Sequence, residues 1–274
     1  MRQRLASAVT LVVFFAAIVV FNSNFPEALN IAIALISVLA VYEIISAIGL
    51  AKNYVLIAPS LLFAAIIPFL SDPILLQTAY FVYTLVIFGA LVFYHSLITF
   101  REVGVIYSMT LMIPTALVTI ISLRNYGGEH GMFYVIIAIS SAWVADTGAF
   151  IAGSLWGKHK LCPNISPKKT VEGVIGGFVL NITAMIVFGY IFHVIYYAYS
   201  VDVSYLTLVI IGVFGTIISV LGDLSFSLIK RSCHIKDFGE IIPGHGGILD
   251  RFDSVIFEAP FVYLLVQIMP IVFH

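Results

Sequence analysis

Nine apolar runs, each near the length needed to cross a bilayer, occupy most of this chain. They cover residues 5–21, 28–50, 53–70, 74–94, 103–122, 131–156, 174–198, 203–229 and 254–272. A helix needs about 20 apolar residues to span the hydrocarbon core, where each backbone N–H and C=O must be paired within its own segment. Soluble domains carry about 25% charged residues. Here the share is 10%, against 61% hydrophobic residues and a mean hydropathy of +1.11. A water-soluble globule of 274 residues could not hide that much apolar surface in one core. The pattern predicts an all-α, polytopic integral membrane protein with about nine transmembrane helices. The same composition excludes disorder, collagen and a disulfide scaffold. A net charge of -1 gives no global attraction to nucleic acid. The two cysteines, Cys162 and Cys233, form no C-x-x-C pair.

The first run follows Arg2 and Arg4 and so resembles a secretory signal. No small-x-small cleavage site follows it, and it is read as a retained helix. Lysine and arginine placement then sets the orientation. Numbering the connections alternately, one side receives Arg2, Arg4, Lys52, Arg101, Lys158, Lys160, Lys168, Lys169, Lys230, Arg231, Lys236 and Arg251, and the other only Arg124. Twelve against one predicts a cytoplasmic N-terminus and supports the count of nine. Eight of the twelve fall in two connections, which orientation alone does not require. The chain divides into residues 1–125, with about five helices, and 126–274, with about four helices and two cytoplasmic motif loops. No internal repeat is visible, which weakens a transporter reading.

The first polar stretch runs from Asp146 to Gly177. An aspartate inside a membrane helix is costly unless paired or hydrated, so Asp146 is expected to face a polar cavity or a hydrogen-bonding neighbour. Gly153/Gly157 and Gly173/Gly177 have the spacing of close helix packing. Ser166-Pro167-Lys168-Lys169-Thr170 sets hydroxyls and ammonium groups just before a helix N-terminus, which suits phosphate capture. Helix capping by Thr170, and topology or lipid contacts for the lysines, are the alternatives.

The second stretch runs from Leu221 to Asp253. Asp223, Ser227 and Lys230 share one helix face. Gly244, Gly246 and Gly247 let a backbone approach a ligand closely. Asp250 and Asp253 lie on one side of a helical turn, and such carboxylates hold Mg²⁺ with substrate phosphates completing the shell. Cationic side chains beside such a metal suit phosphoryl and nucleotidyl transfer. A salt-bridged loop cap is the alternative. His245, between glycines, is read as a phosphate donor or general acid. Glu43 and Glu258 are intramembrane carboxylates, read either as partners for the basic cluster or as hydrated interfacial groups; His193 is read as packing. No Walker loop, GxSxG elbow or HExxH is present, nor the Asp-Gly-x-x-Ala-Arg motif of CDP-alcohol phosphotransferases.

The run Ser227-x-x-Lys230-Arg231-(four)-Lys236-Asp237-x-Gly239-x-x-Ile242-Pro243-x-His245-Gly246-Gly247-x-x-Asp250-Arg251-x-Asp253 resembles the hallmark of phosphatidate cytidylyltransferases (CDP-diacylglycerol synthases). The stretch from Asp146-Thr147-Gly148-Ala149 through Gly157-Lys158 to Ile165-Ser166-Pro167-x-Lys169-Thr170-x-Glu172-Gly173 resembles that family's other marked region. Phe150 stands where many members have Tyr. Together they cover roughly the C-terminal half. The resemblance implies conversion of CTP and phosphatidic acid to CDP-diacylglycerol and pyrophosphate, with Mg²⁺ and room for a second cation.

On this reading Asp223 and Asp250 are the metal ligands, and Lys230, Arg231, His245 and Asp253 carry catalysis. Asp146, Ser166, Lys169, Thr170, Ser227, Lys236, Gly246, Gly247 and Arg251 bind substrate. The expected partners are CTP, phosphatidic acid and membrane lipid, with a homodimer among the options. The expected place is a bacterial-type plasma membrane, with the active site on the cytoplasmic side. The competing functions are a CTP-dependent polyprenol or dolichol kinase and, from another class, an ion or phosphate transporter.

Overall fold

The computed structural model describes residues 16–22, 24–239 and 246–273. The described part of the first helix, α1, is 16–21. It is followed by α2 (Glu27–Ala47), α3 (Tyr54–Ile66), α4 (Pro73–Phe93), α5 (Phe100–Tyr126) and α6 (Gly131–Trp156). A hairpin of β1 (Lys160–Cys162) and β2 (Ser166–Thr170) leads into α7 (Val171–Tyr190), which continues as a π-helical stretch over Ile191–Tyr196. After β3 (Asp202–Val203) come α8 (Tyr205–Ser232), α9 (Leu249–Ile268) and β4 (Val272–Phe273). Among the described residues, six helices are long and apolar enough to cross a membrane. The protein is therefore an all-α, multi-pass membrane protein, with two short two-stranded ribbons among the described residues.

Helix starts follow local capping chemistry. Asp72 accepts hydrogen bonds from the Ile74 and Leu75 amides at 2.8 and 2.9 Å, with Pro73 opening α4. Thr99 and Glu102 form a reciprocal capping box before α5, the Thr99 amide donating to Glu102 at 2.7 Å and the Glu102 amide to Thr99 at 3.3 Å. Two expected boundaries shift. The segment Ser166–Thr170, read as a loop, forms strand β2, pairing antiparallel with β1. The last helix begins at Leu249 rather than near 254, so Asp250 and Asp253 lie inside its first turns.

The chain forms two compact units. One holds the described parts of Met1–Ile121 and Ser232–Arg251. Within it, the buried Asn30 amide donates to the Pro68 carbonyl at 2.7 Å. Ser60 meets the Tyr83 hydroxyl at 3.1 Å, and Tyr80 meets Thr115 at 2.5 Å, tying α3 to α4 and α4 to α5.

The other unit holds the described parts of Ser122–Arg231 and Phe252–His274. Its spine is the α6–α7 pair, which packs through glycines as the GxxxG spacing of Gly173/Gly177 predicts. A Cβ at Gly177 would stand 3.0 Å from the Ala145 carbonyl, and one at Gly173 2.7 Å from that of Ala149. Asn181 of α7 donates to Ser141 Oγ of α6 at 2.9 Å and to the Gly212 carbonyl of α8 at 3.2 Å. His193 packs against Tyr199 and Tyr205, the packing role expected for it.

Candidate active site

The polar chemistry of the second unit is built around Asp146. Its two carboxylate oxygens accept hydrogen bonds from Ser219 Oγ of α8 at 2.9 Å and Ser254 Oγ of α9 at 2.8 Å. The expectation of a polar neighbour for this intramembrane aspartate is met by both hydroxyls. Neither serine was singled out from the sequence. Ser219 had a signal, since Ser219, Asp223 and Ser227 recur every four residues along one face of α8. Ser254 had none, because its bond crosses 108 residues.

Asp223 sits one turn beyond Ser219. Its Oδ2 lies 2.5 Å from Lys169 Nζ, and its Oδ1 accepts from Ser227 Oγ at 3.3 Å. The β1–β2 hairpin carries Lys169 to it, so the hairpin links the two motif stretches. Both side chains are partly covered, at 19% and 28% exposure. Asp253, 6% exposed, lies within electrostatic reach of Asp223, Asp146 and Lys230. Three carboxylates thus share a protein-lined region with the ammonium groups of Lys169 and Lys230.

The hairpin is held down at its base. Glu172, in the first turn of α7, accepts from the Lys158 amide at 3.1 Å and bonds His159 Nδ1 at 2.6 Å. Thr170, 4% exposed, caps α7 by accepting from the Gly173 amide at 3.1 Å. Ser166 opens β2 half-buried, while Arg231 is exposed at the end of α8. Lys158, Lys160 and Lys168 are exposed around the same hairpin.

In the first unit the stretch before α9 is organised by two carboxylates. Glu43 of α2, 2% exposed, accepts from the Ile248 amide at 2.9 Å and the Leu249 amide at 2.8 Å. It therefore caps the N-terminus of α9 from about 205 residues away in sequence. Asp250 Oδ2 accepts from the Phe238 amide at 2.9 Å and the Gly247 amide at 3.0 Å. The glycines are explained by these contacts. Gly246 has φ +86°, and a Cβ there would stand 2.9 Å from Asp250 Oδ2. A Cβ at Gly247 would be driven into the Glu43 carboxylate. Lys236 is exposed and Arg251 half-buried. His245, with Glu240 to Gly244, lies outside the described residues.

Among the described residues no three His, Cys, Asp or Glu side chains form a ready-made metal cage. Mg²⁺ does not need one, since it is commonly held by one or two carboxylates together with substrate phosphates and water. The donor set fits such an ion. Asp146, Asp223 and Asp253 bring three carboxyl groups toward the ammonium groups of Lys169 and Lys230. Of the two expected ligands, Asp223 stands in this group, while Asp250 Oδ2 already accepts from two backbone amides.

Comparison with known proteins adds what geometry alone does not. A family model described as the cytidylyltransferase family matches residues 2–269. The phosphatidate cytidylyltransferase of Bacillus subtilis (strain 168) is 39% identical over 170 residues, covering 62% of this chain and 60% of that protein. The phosphatidate cytidylyltransferases of Staphylococcus haemolyticus and Staphylococcus saprophyticus are each 44% identical, over 139 and 143 residues. Those two alignments cover 50% and 51% of this chain, and 50% and 52% of the relatives. The chain belongs to the cytidylyltransferase family, and it spans 50–60% of the length of the curated relatives it matches.

Proposed function

We propose that this protein is a phosphatidate cytidylyltransferase, joining CTP and phosphatidic acid to give CDP-diacylglycerol and pyrophosphate. The observation that carries the reading is identity of 39–44% to relatives bearing that name, within a family match that runs along nearly the whole chain. The carboxylate and ammonium grouping around Asp223 supports it, because nucleotidyl transfer asks chiefly for charge neutralisation and positioning. The proposal includes nine spans with a cytoplasmic N-terminus, divided as residues 1–125 and 126–274, with both motif stretches on the side where nucleotide is available. The bacterial relatives fit a plasma membrane.

In this reaction a phosphate oxygen of phosphatidate attacks the α-phosphorus of CTP, and the bond to pyrophosphate breaks. The nucleophile is already charged at neutral pH, so no serine or cysteine must be activated. Lys230, Arg231 and Lys236 hold the nucleotide phosphates, with Gly246 and Gly247 giving close backbone approach. Ser166, Lys169 and Thr170 meet the second phosphate or close over the nucleotide. Arg251 and Asp253 support the site as partners, and His245 donates a hydrogen bond to the departing pyrophosphate. Asp223 and Asp250 would hold Mg²⁺, which supplies neutralisation of phosphate charge in the transition state.

The test is an assay of the purified protein with labelled CTP and phosphatidic acid. Release of pyrophosphate with formation of a CDP-lipid is expected. Release of CDP with a phosphorylated lipid alcohol would make the protein a CTP-dependent lipid kinase instead.

A further inference from the structure

An apolar groove of about 500 Å³ runs along the outer face of the α6–α7 pair, within the second unit. Its floor is made where the helices come closest, at Gly148, Ala152 and Gly176. A Cβ at Gly148 would stand 2.9 Å from the Gly176 carbonyl, so only glycine permits this approach. Ile151 and Val179 form its rims and are 45% and 63% exposed. Both helices are long and apolar enough to cross a membrane, so the mouth of the groove faces hydrocarbon.

The two ends of the groove differ. At one end stands Glu172, joined to His159 and the Lys158 amide at the base of the hairpin that carries exposed Lys158, Lys160 and Lys168. At the other end stands Thr183, whose hydroxyl is spent on the Val179 carbonyl at 2.7 Å. From Glu172 to Thr183 is eleven residues (183 − 172), about 16 Å of helix at 1.5 Å per residue. The hydrocarbon core is about 30 Å thick, so the groove is as deep as one leaflet.

We propose that this groove seats an acyl chain of the phosphatidate substrate, with the lipid phosphate drawn to the hairpin lysines at its polar end. The assignment rests on the proposed phosphatidate cytidylyltransferase activity and adds where the lipid lies and what selects it. The apolar lining and one-leaflet length suit an acyl chain. At the end marked by the Glu172 carboxylate, the three exposed lysines of the adjoining hairpin, Lys158, Lys160 and Lys168, outnumber that single negative charge. A bulky side chain on the rim would fill the groove from the lipid side without crowding the helix crossing. Val179 is therefore the position that reads chain length.

Two measurements test this. The first uses phosphatidate carrying a diazirine on one acyl chain, in vesicles with the full-length protein, with mapping of the labelled residues. Labels are expected on 148–156 and 175–183, competed by unlabelled phosphatidate and not by phosphatidylcholine. Labelling elsewhere, or equal competition by phosphatidylcholine, overturns the proposal. The second compares Val179→Trp with Leu264→Trp, whose exposed position on α9 lies outside the groove. Val179→Trp should raise KM for long-chain over short-chain phosphatidate by about fivefold or more, while Leu264→Trp leaves the ratio unchanged. An unchanged ratio in Val179→Trp with normal turnover overturns the groove and leaves the activity standing. Loss of dimerisation in Val179→Trp with unaltered labelling would assign the face to a second copy and overturn the proposal. Groove labelling without any CDP-lipid formation would instead overturn the activity.

Discussion

Lys169 Nζ lies 2.5 Å from Asp223 Oδ2, so a lysine on a β-hairpin answers a carboxylate inside a membrane helix 54 residues further on (223 − 169). The pair joins the two motif stretches and sets the electrical balance of the site. If Asp223 is a metal ligand, Lys169 is the cation that occupies its carboxylate before substrate arrives. Asp223→Asn should lower Mg²⁺-dependent turnover by about a hundredfold or more, the scale of losing one strong electrostatic contact in a transition state. Chelation by EDTA should abolish turnover and added Mg²⁺ restore it. Near-normal activity of a folded Asp223→Asn protein would remove Asp223 from the site.

Lys169→Ala separates the roles left open for the hairpin. A rise in KM for CTP alone assigns it to the nucleotide, and a rise for phosphatidate alone to the lipid. Because Lys169 and Asp223 are in direct contact, the double variant should lose less than the product of the single losses. Strict additivity in the double-mutant cycle would show the ion pair to be idle in the working enzyme.

Glu43 and Asp250 carry a structural load whatever their part in chemistry. Glu43→Ala leaves the Ile248 and Leu249 amides without their acceptor, at a cost of about 1–3 kcal/mol for each buried group left unpaired. Glu43→Gln keeps one acceptor oxygen and should recover part of that loss. Gly247→Ala pushes a methyl group into the Glu43 carboxylate and should destabilise comparably. Thermal unfolding in detergent measures all three. A Glu43→Ala protein as stable as wild type would sink the capping role.

Helix positions could be read from the sequence wherever local chemistry sets them. The span at 131–156 coincides with α6, and 74–94 differs by one residue from α4, where Asp72 and Pro73 mark the start. The helical turn expected for Asp250 and Asp253 is present as the start of α9, but the apolar run marks that helix only from 254, because its first turn is charged and the carboxylate that caps it comes from Glu43. The same limit applies within the site. Asp223 and Ser227 could be paired from helical spacing, and their hydroxyl–carboxylate bond is present. The bonds from Ser219 and Ser254 to Asp146, and the meeting of Lys169 with Asp223, depend on how α6, α8, α9 and the hairpin pack. No local pattern encodes those meetings.

The chemistry itself should be a single in-line displacement. Cys162 and Cys233 are both free and half-buried, and neither has a base hydrogen-bonded to its sulfur among the contacts described. An activated nucleophile needs such a base or a lowered pKa. A Cys162→Ala, Cys233→Ala double variant should therefore keep most of its activity. A one-step transfer inverts the configuration at the α-phosphorus, whereas a covalent enzyme intermediate inverts it twice and returns it. With CTP bearing a chiral α-thio substituent, inversion is expected in the CDP-lipid product. Net retention would require two displacements and would send the search to a nucleophile elsewhere in the chain.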